Sequence, residues 1–152
     1  MNIYLAGSCG SEDRTTMVNV AKKFRAAGLE VYCPFELKID NAWGMSQEDW
    51  ARKVFESDVA AIDSCDIFFM ISKGRMSSAG VNWEQGYAFA RGKNIYVLQI
   101  TEEPTSLMTF CSTPFFYNTS PSKLNEKLDW LVNLIKDGKE PMRYGTCRTI
   151  LT

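Results

Sequence analysis

Histidine is absent from all 152 residues, and that gap removes imidazole general bases, Ser-His and Cys-His nucleophile pairs and most catalytic zinc sites. Acid–base work falls to carboxylates, Tyr, Lys or Cys. Cysteine is sparse and scattered: Cys9, Cys33, Cys65, Cys111 and Cys147 form no C-x-x-C pair and are odd in number. Neither a zinc ribbon nor a disulfide framework is indicated, and a reducing cytoplasm fits best. Long hydrophobic runs are missing as well. No stretch approaches the roughly 18 apolar residues of a membrane span, and Met1 to Gly7 lacks a basic n-region and a long apolar segment. A cytoplasmic protein, neither secreted nor membrane-spanning, is expected. Charge of one sign is not in excess: 17 Lys+Arg against 18 Asp+Glu leaves −1, which disfavours sequence-independent binding to nucleic acid or anionic lipid.

With 45% hydrophobic and 23% charged residues, the composition is that of a globular chain, and its length suits a single domain spanning 1–152. Apolar, β-rich runs at Ile3–Ala6, Glu30–Cys33, Ile67–Ile71, Ile95–Ile100 and Phe115–Asn118 alternate with segments of helical periodicity. That alternation predicts a parallel sheet with crossover helices. The first helix runs from about Asp13 to a stop at Gly28, and the second opens at Ser46 with Asp49 in a capping-box arrangement and continues to about Ser64. The third covers Ala79 to Arg91 and closes at Gly92. Ser120-Pro121 reads as an N-cap and first-turn pair for a last helix carrying Leu124, Leu128, Leu131 and Ile135. Two long connections, Pro34–Met45 and Lys73–Ser78, fall where an open α/β sheet keeps its ligand.

Two carboxylates stand out against this pattern. Asp58 lies on or beside an apolar stripe of Trp50, Val54, Phe55, Val59 and Ile62, so it is either a solvated edge residue or a charge with a purpose. Glu84 has Gly80, Val81, Tyr87 and Ala88 at the i±3 and i±4 positions and no basic partner on its own helix. Gly80 and Ala88 suggest close packing of that face against the sheet, and the helix dipole favours a negative charge near its first turns. A carboxylate pair without histidine or a metal-ligand cluster suits chemistry at an acetal-like carbon: one acid attacks the anomeric centre and another assists the leaving group. No cofactor and no metal are expected.

The order Ile3-Tyr4-Leu5-Ala6-Gly7-Ser8, then Asp58 with Asp66 eight residues on, then Gly80-x-x-x-Glu84-x-Gly86-Tyr87-Ala88 followed by Gly92-Lys93, resembles the nucleoside 2-deoxyribosyltransferase superfamily over most of positions 2 to 110. The resemblance implies a flavodoxin-like fold, a five-stranded parallel sheet of order 2-1-3-4-5 flanked by helices. It implies Glu84 as the nucleophile that takes C1′ into a glycosyl ester. Asp58 would assist the base or hold the sugar, Tyr4 would orient the nucleophile, and Gly7, Ser8 and Gly80 would line the substrate site.

Two further positions separate the branches of that superfamily. Ser78, six residues before Glu84, and Ser106, just before Leu107-Met108, match the serines that hold phosphate in the nucleoside 5′-monophosphate N-glycosidases, the second serine coming from a neighbouring subunit. The transferases acting on free nucleosides often carry aspartate and asparagine there. Physics agrees, because a serine at a helix N-terminus can donate to a phosphate that an aspartate would repel. The glycine-rich loop Gly7–Arg14 departs from the hydrolase pattern in having Gly10 where a phosphate-binding arginine often stands. Arg14 and Arg75 are the candidates to replace it. The resulting expectation is a 5′-monophosphate N-glycosidase acting as a homodimer or higher homo-oligomer with shared sites. A nucleoside 2-deoxyribosyltransferase is the alternative, and a non-catalytic nucleotide-sensing module a third reading. For the base, Phe35, Trp43 and Trp50 are the aromatic candidates.

Overall fold

Alternation along each strand decides which layer a side chain joins. In the computed structural model, which describes residues 1–138 and 150–151, the apolar runs form the parallel strands β1 (Asn2–Gly7), β2 (Glu30–Tyr32), β3 (Ile67–Ser72), β4 (Asn94–Gln99) and, after a two-residue strand β5 (Thr105–Ser106), β6 (Phe115–Asn118). The sheet order is β2-β1-β3-β4-β6, while β5 pairs separately with β7 (Ile150–Leu151). Setting β5 aside, this is the expected 2-1-3-4-5 order of a flavodoxin-like sheet. The helices are α1 (Ser11–Ala26), α2 (Gln47–Ser64), α3 (Ala79–Ala90), α4 (Leu107–Cys111) and α5 (Leu124–Lys136).

Because successive side chains point to opposite faces, Ile3 and Leu5 join Phe69, Leu98 and Tyr117 under α1 and α5, where Met17, Val20, Phe24, Leu128 and Leu131 close the layer. Tyr4 and Ala6 join Phe68, Met70, Val97 and Phe116 on the other face, under Ile62 of α2 and Val81 and Ala88 of α3. Tyr4 is thus carried to the α2/α3 side by a strand only six residues long. In the register of the sheet it stands between Tyr32 of β2 and Phe68 of β3.

The helix punctuation follows local chemistry. Ser46 accepts a hydrogen bond from the Asp49 amide at 3.1 Å, and Ser78 accepts one from Val81 at 3.4 Å, each satisfying an otherwise orphaned N–H. Gly28 and Gly92 take φ of +86° and +68° just past α1 and α3, as left-handed helix stops do. Ser120 departs from expectation. Its side chain makes no capping bond, a 3-10 turn at Pro121–Lys123 follows, and α5 begins only at Leu124. The proline at the first position favours the tight turn, and its missing amide leaves less for a cap to satisfy.

α2 also differs from its sequence pattern. Of the stripe, only Ile62 is buried; Trp50 and Phe55 remain 44% and 52% exposed. The helix rests on the sheet through its last turns, leaving its earlier apolar side chains to line a cleft. The Phe115–Tyr117 run is strand core, with Phe116 and Tyr117 buried and Phe110 edge-on to Phe116 at 5.2 Å. Cys147 lies outside the described residues; Cys9, Cys33, Cys65 and Cys111 are free thiols.

The connection from β3 to α3 is pinned from one side. Gly74 adopts φ +63°, and a Cβ there would fall 2.7 Å from the Pro104 carbonyl oxygen, the same oxygen that accepts the Arg75 amide at 2.8 Å. Gly74→Ala meets both left-handed strain and backbone collision. It is expected to lower stability by about 1–3 kcal/mol, measured as a shift in the urea midpoint at unchanged m-value.

Candidate active site

Tyr4 and Tyr32 are register partners on adjacent parallel strands, so both rings emerge on the same face and stack, with centroids 5.4 Å apart and planes 19° apart. Phe68 continues the stack on the far side of Tyr4 at 5.4 Å. Above this aromatic floor α2 presents Asp58 and α3 presents Glu84. The Tyr32 hydroxyl donates to Asp58 Oδ1 at 2.8 Å. The Tyr4 hydroxyl is enclosed and lacks a partner at full hydrogen-bond geometry, yet it and Glu84 are near enough to act on each other.

Both acids face a cleft of about 330 Å³ between α2 and α3, walled by Phe55, Val59, Ile62, Gly80 and Trp83. Its size suits a small-molecule ligand. Phe55 and Trp83 flank it as a tilted pair with centroids 5.4 Å apart, and Tyr87 backs Trp83 in a parallel stack at 5.5 Å. Gly80 contributes space: a Cβ there would meet nothing within 4 Å. The close packing against the sheet expected at Gly80 is not what this glycine does; Ala88, buried on α3, fills that part.

Burial, more than any neighbour, sets the electrostatics. It pushes Glu84 up from its ordinary range to about 7, the Asp58 charge pushes the same way, and Tyr4 pulls back. The helix-dipole preference for an ionised Glu84 is therefore outweighed. Asp58 is raised by burial, with the Tyr32 hydrogen bond opposing. Both phenols are driven far above their ordinary range, Tyr4 by burial and then by Glu84 and Asp58, Tyr32 by burial and then by its bond to Asp58. Among the described residues, neither lysine nor arginine acts on either acid.

The loop residues named from sequence divide. Ser8, nearly buried, accepts the Ser78 amide at 3.0 Å, joining the end of β1 to the start of α3 beside the cleft. At Gly7 a Cβ would fall 2.4 Å from the Met17 sulfur, so this glycine lets α1 close on the strand end. Ser106 caps α4 by accepting the Met108 amide at 3.2 Å. It lines a separate hollow with Asn82, Gln85, Phe89 and Met108, and is not brought to the Glu84 cleft of its own chain. Gln85, buried beneath that hollow, anchors α4 by donating to the Thr109 carbonyl at 3.2 Å and Ser112 Oγ at 2.7 Å.

The basic candidates are committed or remote. Arg75 Nε pairs with Glu103 at 2.5 Å, Lys73 Nζ with Asp13 at 3.1 Å and Glu12 at 3.5 Å, and Arg14 is exposed on α1. A Cβ at Gly10 would stand 2.9 Å from Asp13 Oδ2, so the Asp13 carboxylate occupies the place of a longer side chain. Among the aromatic candidates for a base, Trp43 is fully exposed and Trp50 lines another hollow with it, while Phe35 packs on the α1 core. The rings at the cleft are Phe55 and Trp83. Trp83 was findable as the immediate neighbour of Glu84, and Phe55 as a stripe residue one turn before Asp58. Tyr32 gave no signal, because a tyrosine in a strand reads as packing. No group of three or more His, Cys, Asp or Glu side chains among the described residues is placed to hold a metal, and no described helix is long and apolar enough to cross a membrane.

A strand tyrosine, a glutamate on the helix after β3 and an aspartate on the facing helix meet at one cleft, and family comparison supplies the class of protein. The sequence profile of nucleoside 2-deoxyribosyltransferase matches residues 3–135; the chain belongs to this family of enzymes. Among solved structures it resembles the 2-deoxyribosyltransferase of the psychrotolerant bacterium Bacillus psychrosaccharolyticus, at TM-score 0.74 and 24% identity, covering 95% of this chain and 99% of that one. It also resembles the CMP N-glycosidase of Clostridium botulinum, at TM-score 0.58 and 22% identity, over 86% of this chain and 98% of that one. At these identities the likeness is one of fold. No curated protein matches in sequence.

A carboxyl whose folded value is raised binds its proton more tightly in the folded state, so its contribution is fully present below pH 4.5 and is lost as pH rises through about 7. Glu84→Gln, shaped like the neutral acid, is expected to match the wild type near pH 4 and to exceed it at pH 8 by about 2–3 kcal/mol. Chemical denaturation at the two pH values checks this.

Proposed function

We propose that the protein cleaves the N-glycosidic bond of a nucleoside 5′-monophosphate through a glycosyl ester on Glu84. The observation that carries this reading is the half-buried Asp58–Glu84 pair at the wall of an aromatic cleft, with no lysine or arginine among the described residues acting on it. In the first step the ionised Glu84 attacks C1′; the C1′–N electron pair leaves with the base, and Asp58 supplies the base's proton. In the second step water gives a proton to Asp58 and its oxygen to C1′, releasing Glu84 as carboxylate. Tyr4 orients Glu84 from the strand below. Phe55 and Trp83 offer faces for the base, and Gly80 leaves room for the sugar.

The N-terminus of α3 suits the phosphate: the helix dipole favours an anion there, Ser78 has a hydroxyl proton to donate, and Gly7 and Ser8 border it. Ser106, in its separate hollow, would serve the phosphate of a neighbouring subunit's site, which makes the active unit at least a homodimer. Phe89 and Met108, 60% and 73% exposed around that hollow, supply apolar surface for such an interface. One observation favours base exchange on free 2′-deoxynucleosides instead. Lys73 and Arg75, near the start of α3, are already paired with acids, so neither of these two charges is left uncommitted for a phosphate there.

Incubating the protein with nucleosides and their 5′-monophosphates, with and without a free base, separates these readings by chromatography of the products. Glu84→Ala is expected to abolish turnover, and mass spectrometry of slowly resolved wild-type reactions to find a sugar adduct on the Glu84 peptide. Asp58→Asn should lower kcat by about 10²–10⁴-fold. Ser78→Ala should weaken monophosphates by about 1.5–3 kcal/mol and leave free nucleosides unchanged; equal effects on both favour the transferase.

The mechanism needs one ionised acid and one protonated acid. Above about pH 7, where Glu84 gives up its proton, both are ionised and no proton remains for the base. Accordingly kcat/KM is expected to be highest below that point and to fall about tenfold per pH unit above it. A rate that climbs through pH 7 to 9 would remove the general-acid role of Asp58.

A further inference from the structure

The cleft holds two acids and two phenols in a two-by-two array. Tyr4 and Tyr32 stand side by side in register on β1 and β2; Glu84 and Asp58 hang over them from α3 and α2. The phenols address different acids. Tyr32 donates to Asp58 Oδ1 at 2.8 Å, and a phenol that donates to a carboxylate favours its ionised form. Tyr4 lies against Glu84 without a full hydrogen bond. The array is therefore asymmetric in geometry: the Tyr32–Asp58 bond is made in full, whereas Tyr4 acts on Glu84 without reaching full hydrogen-bond geometry.

We propose that Tyr32 is a positioning residue that fixes the Asp58 carboxyl and decides which acid of the pair holds their single proton. The inference rests on the glycosyl-ester reading for its consequence in turnover, though the proton's position is a property of the free protein. With Tyr32 donating, Asp58 is the carboxylate and Glu84 the acid, a resting arrangement in which the nucleophile is masked. For reaction the proton moves from Glu84 Oε to Asp58 Oδ. Glu84 then forms the C1′–O bond as the C1′–N bond breaks, and the same proton leaves on the base. No proton is gained from solvent or lost to it in that step. The groups facing the pair are few: Tyr32 from β2, Tyr4 from β1, Cys9 from the loop after β1, and the two acids themselves. Among the described residues no cation acts on either acid. Burial raises both acids and each is opposed by its own phenol, Glu84 by Tyr4 and Asp58 by Tyr32; besides burial, the asymmetry is geometric, the Tyr32 bond being made at 2.8 Å while the Tyr4 hydroxyl makes none.

The test is site-resolved carboxyl titration by carbon-13 NMR on the ligand-free protein, in the wild type, Tyr32→Phe, Asp58→Asn and the double variant. In the wild type, Glu84 is expected to change state near pH 7 and Asp58 below it. In Tyr32→Phe, Asp58 should rise and Glu84 should fall by about one pH unit as the proton passes to Asp58. In the Asp58→Asn background, adding Tyr32→Phe should leave Glu84 where it was. Incorporating 3-fluorotyrosine at position 32, a stronger donor of nearly the same shape, should move the two midpoints further apart, and this serves even if Tyr32→Phe fails to fold. An unchanged order and spacing of the two midpoints in a folded Tyr32 variant overturns the proposal. So does an equal Glu84 shift with and without Asp58. The pH profile of kcat/KM with a nucleotide substrate separates the two readings. Titrations as expected in a protein that turns over no nucleoside or nucleotide would refute the glycosyl-ester reading alone. Turnover with unmoved titrations would refute the role of Tyr32 alone.

Discussion

Two half-buried carboxyls in one cleft, with no cation among the described residues set against them, are the constraint on which this site depends. Burial first, and the neighbouring Asp58 charge second, push Glu84 up to about 7, so one acid keeps its proton to near neutrality. Ordinary structural acids in this chain are handled differently. Asp13 has Lys73, Glu36 has Arg25, Asp63 has Arg91, and Glu103 has Arg75. Among the described residues cations are used freely for such pairing, and none of them acts on Asp58 or Glu84. In their stead stand two phenols, which can donate a hydrogen bond without adding positive charge.

The fold supplies this arrangement cheaply. Two adjacent strands in direct register give two rings on one face, and the two helices crossing above give one acid each. α3 then faces two ways: Glu84, Trp83 and Gly80 look into the cleft, whereas Asn82, Gln85, Gly86 and Phe89 look into the hollow shared with α4. The short bond from the Ser78 amide to Ser8 fixes the start of this helix to the end of β1. Gly74 and the Pro104 carbonyl hold the loop leading into it. The position of Glu84 is thus set by backbone contacts at the head of its helix as much as by packing along it.

Much of this was legible in the sequence because it is periodic or punctuated. Strand alternation placed Tyr4 in the sheet, Ser46 and Ser78 announced their helices, and Gly28 and Gly92 ended theirs. Asp58 and Glu84 stood out as acids in apolar surroundings. What was not legible depends on three-dimensional register. Tyr32 belongs to the site only because β2 pairs with β1 at that residue. Phe55 looked like core because a stripe does not say how far along its helix the sheet extends. The dipole argument favoured an ionised Glu84, and burial overrode it because helix dipoles are worth about 0.3–1 kcal/mol at exposed termini, less than the desolvation of a carboxylate. β5 and α4, at two and five residues, are too short to leave a period.

Gly80 sits inside a helix with ordinary backbone angles, where alanine would be more stable by about 1 kcal/mol, and no neighbour forbids the extra methyl. Nothing in the folded chain alone asks for a glycine at this position. Its cost is therefore a measure of what the empty protein forgoes to keep that volume unoccupied. Side chains of graded size introduced there, from alanine through serine to valine, would act as a calibrated wedge, narrowing the range of admissible guests step by step while the scaffold around them stays the same.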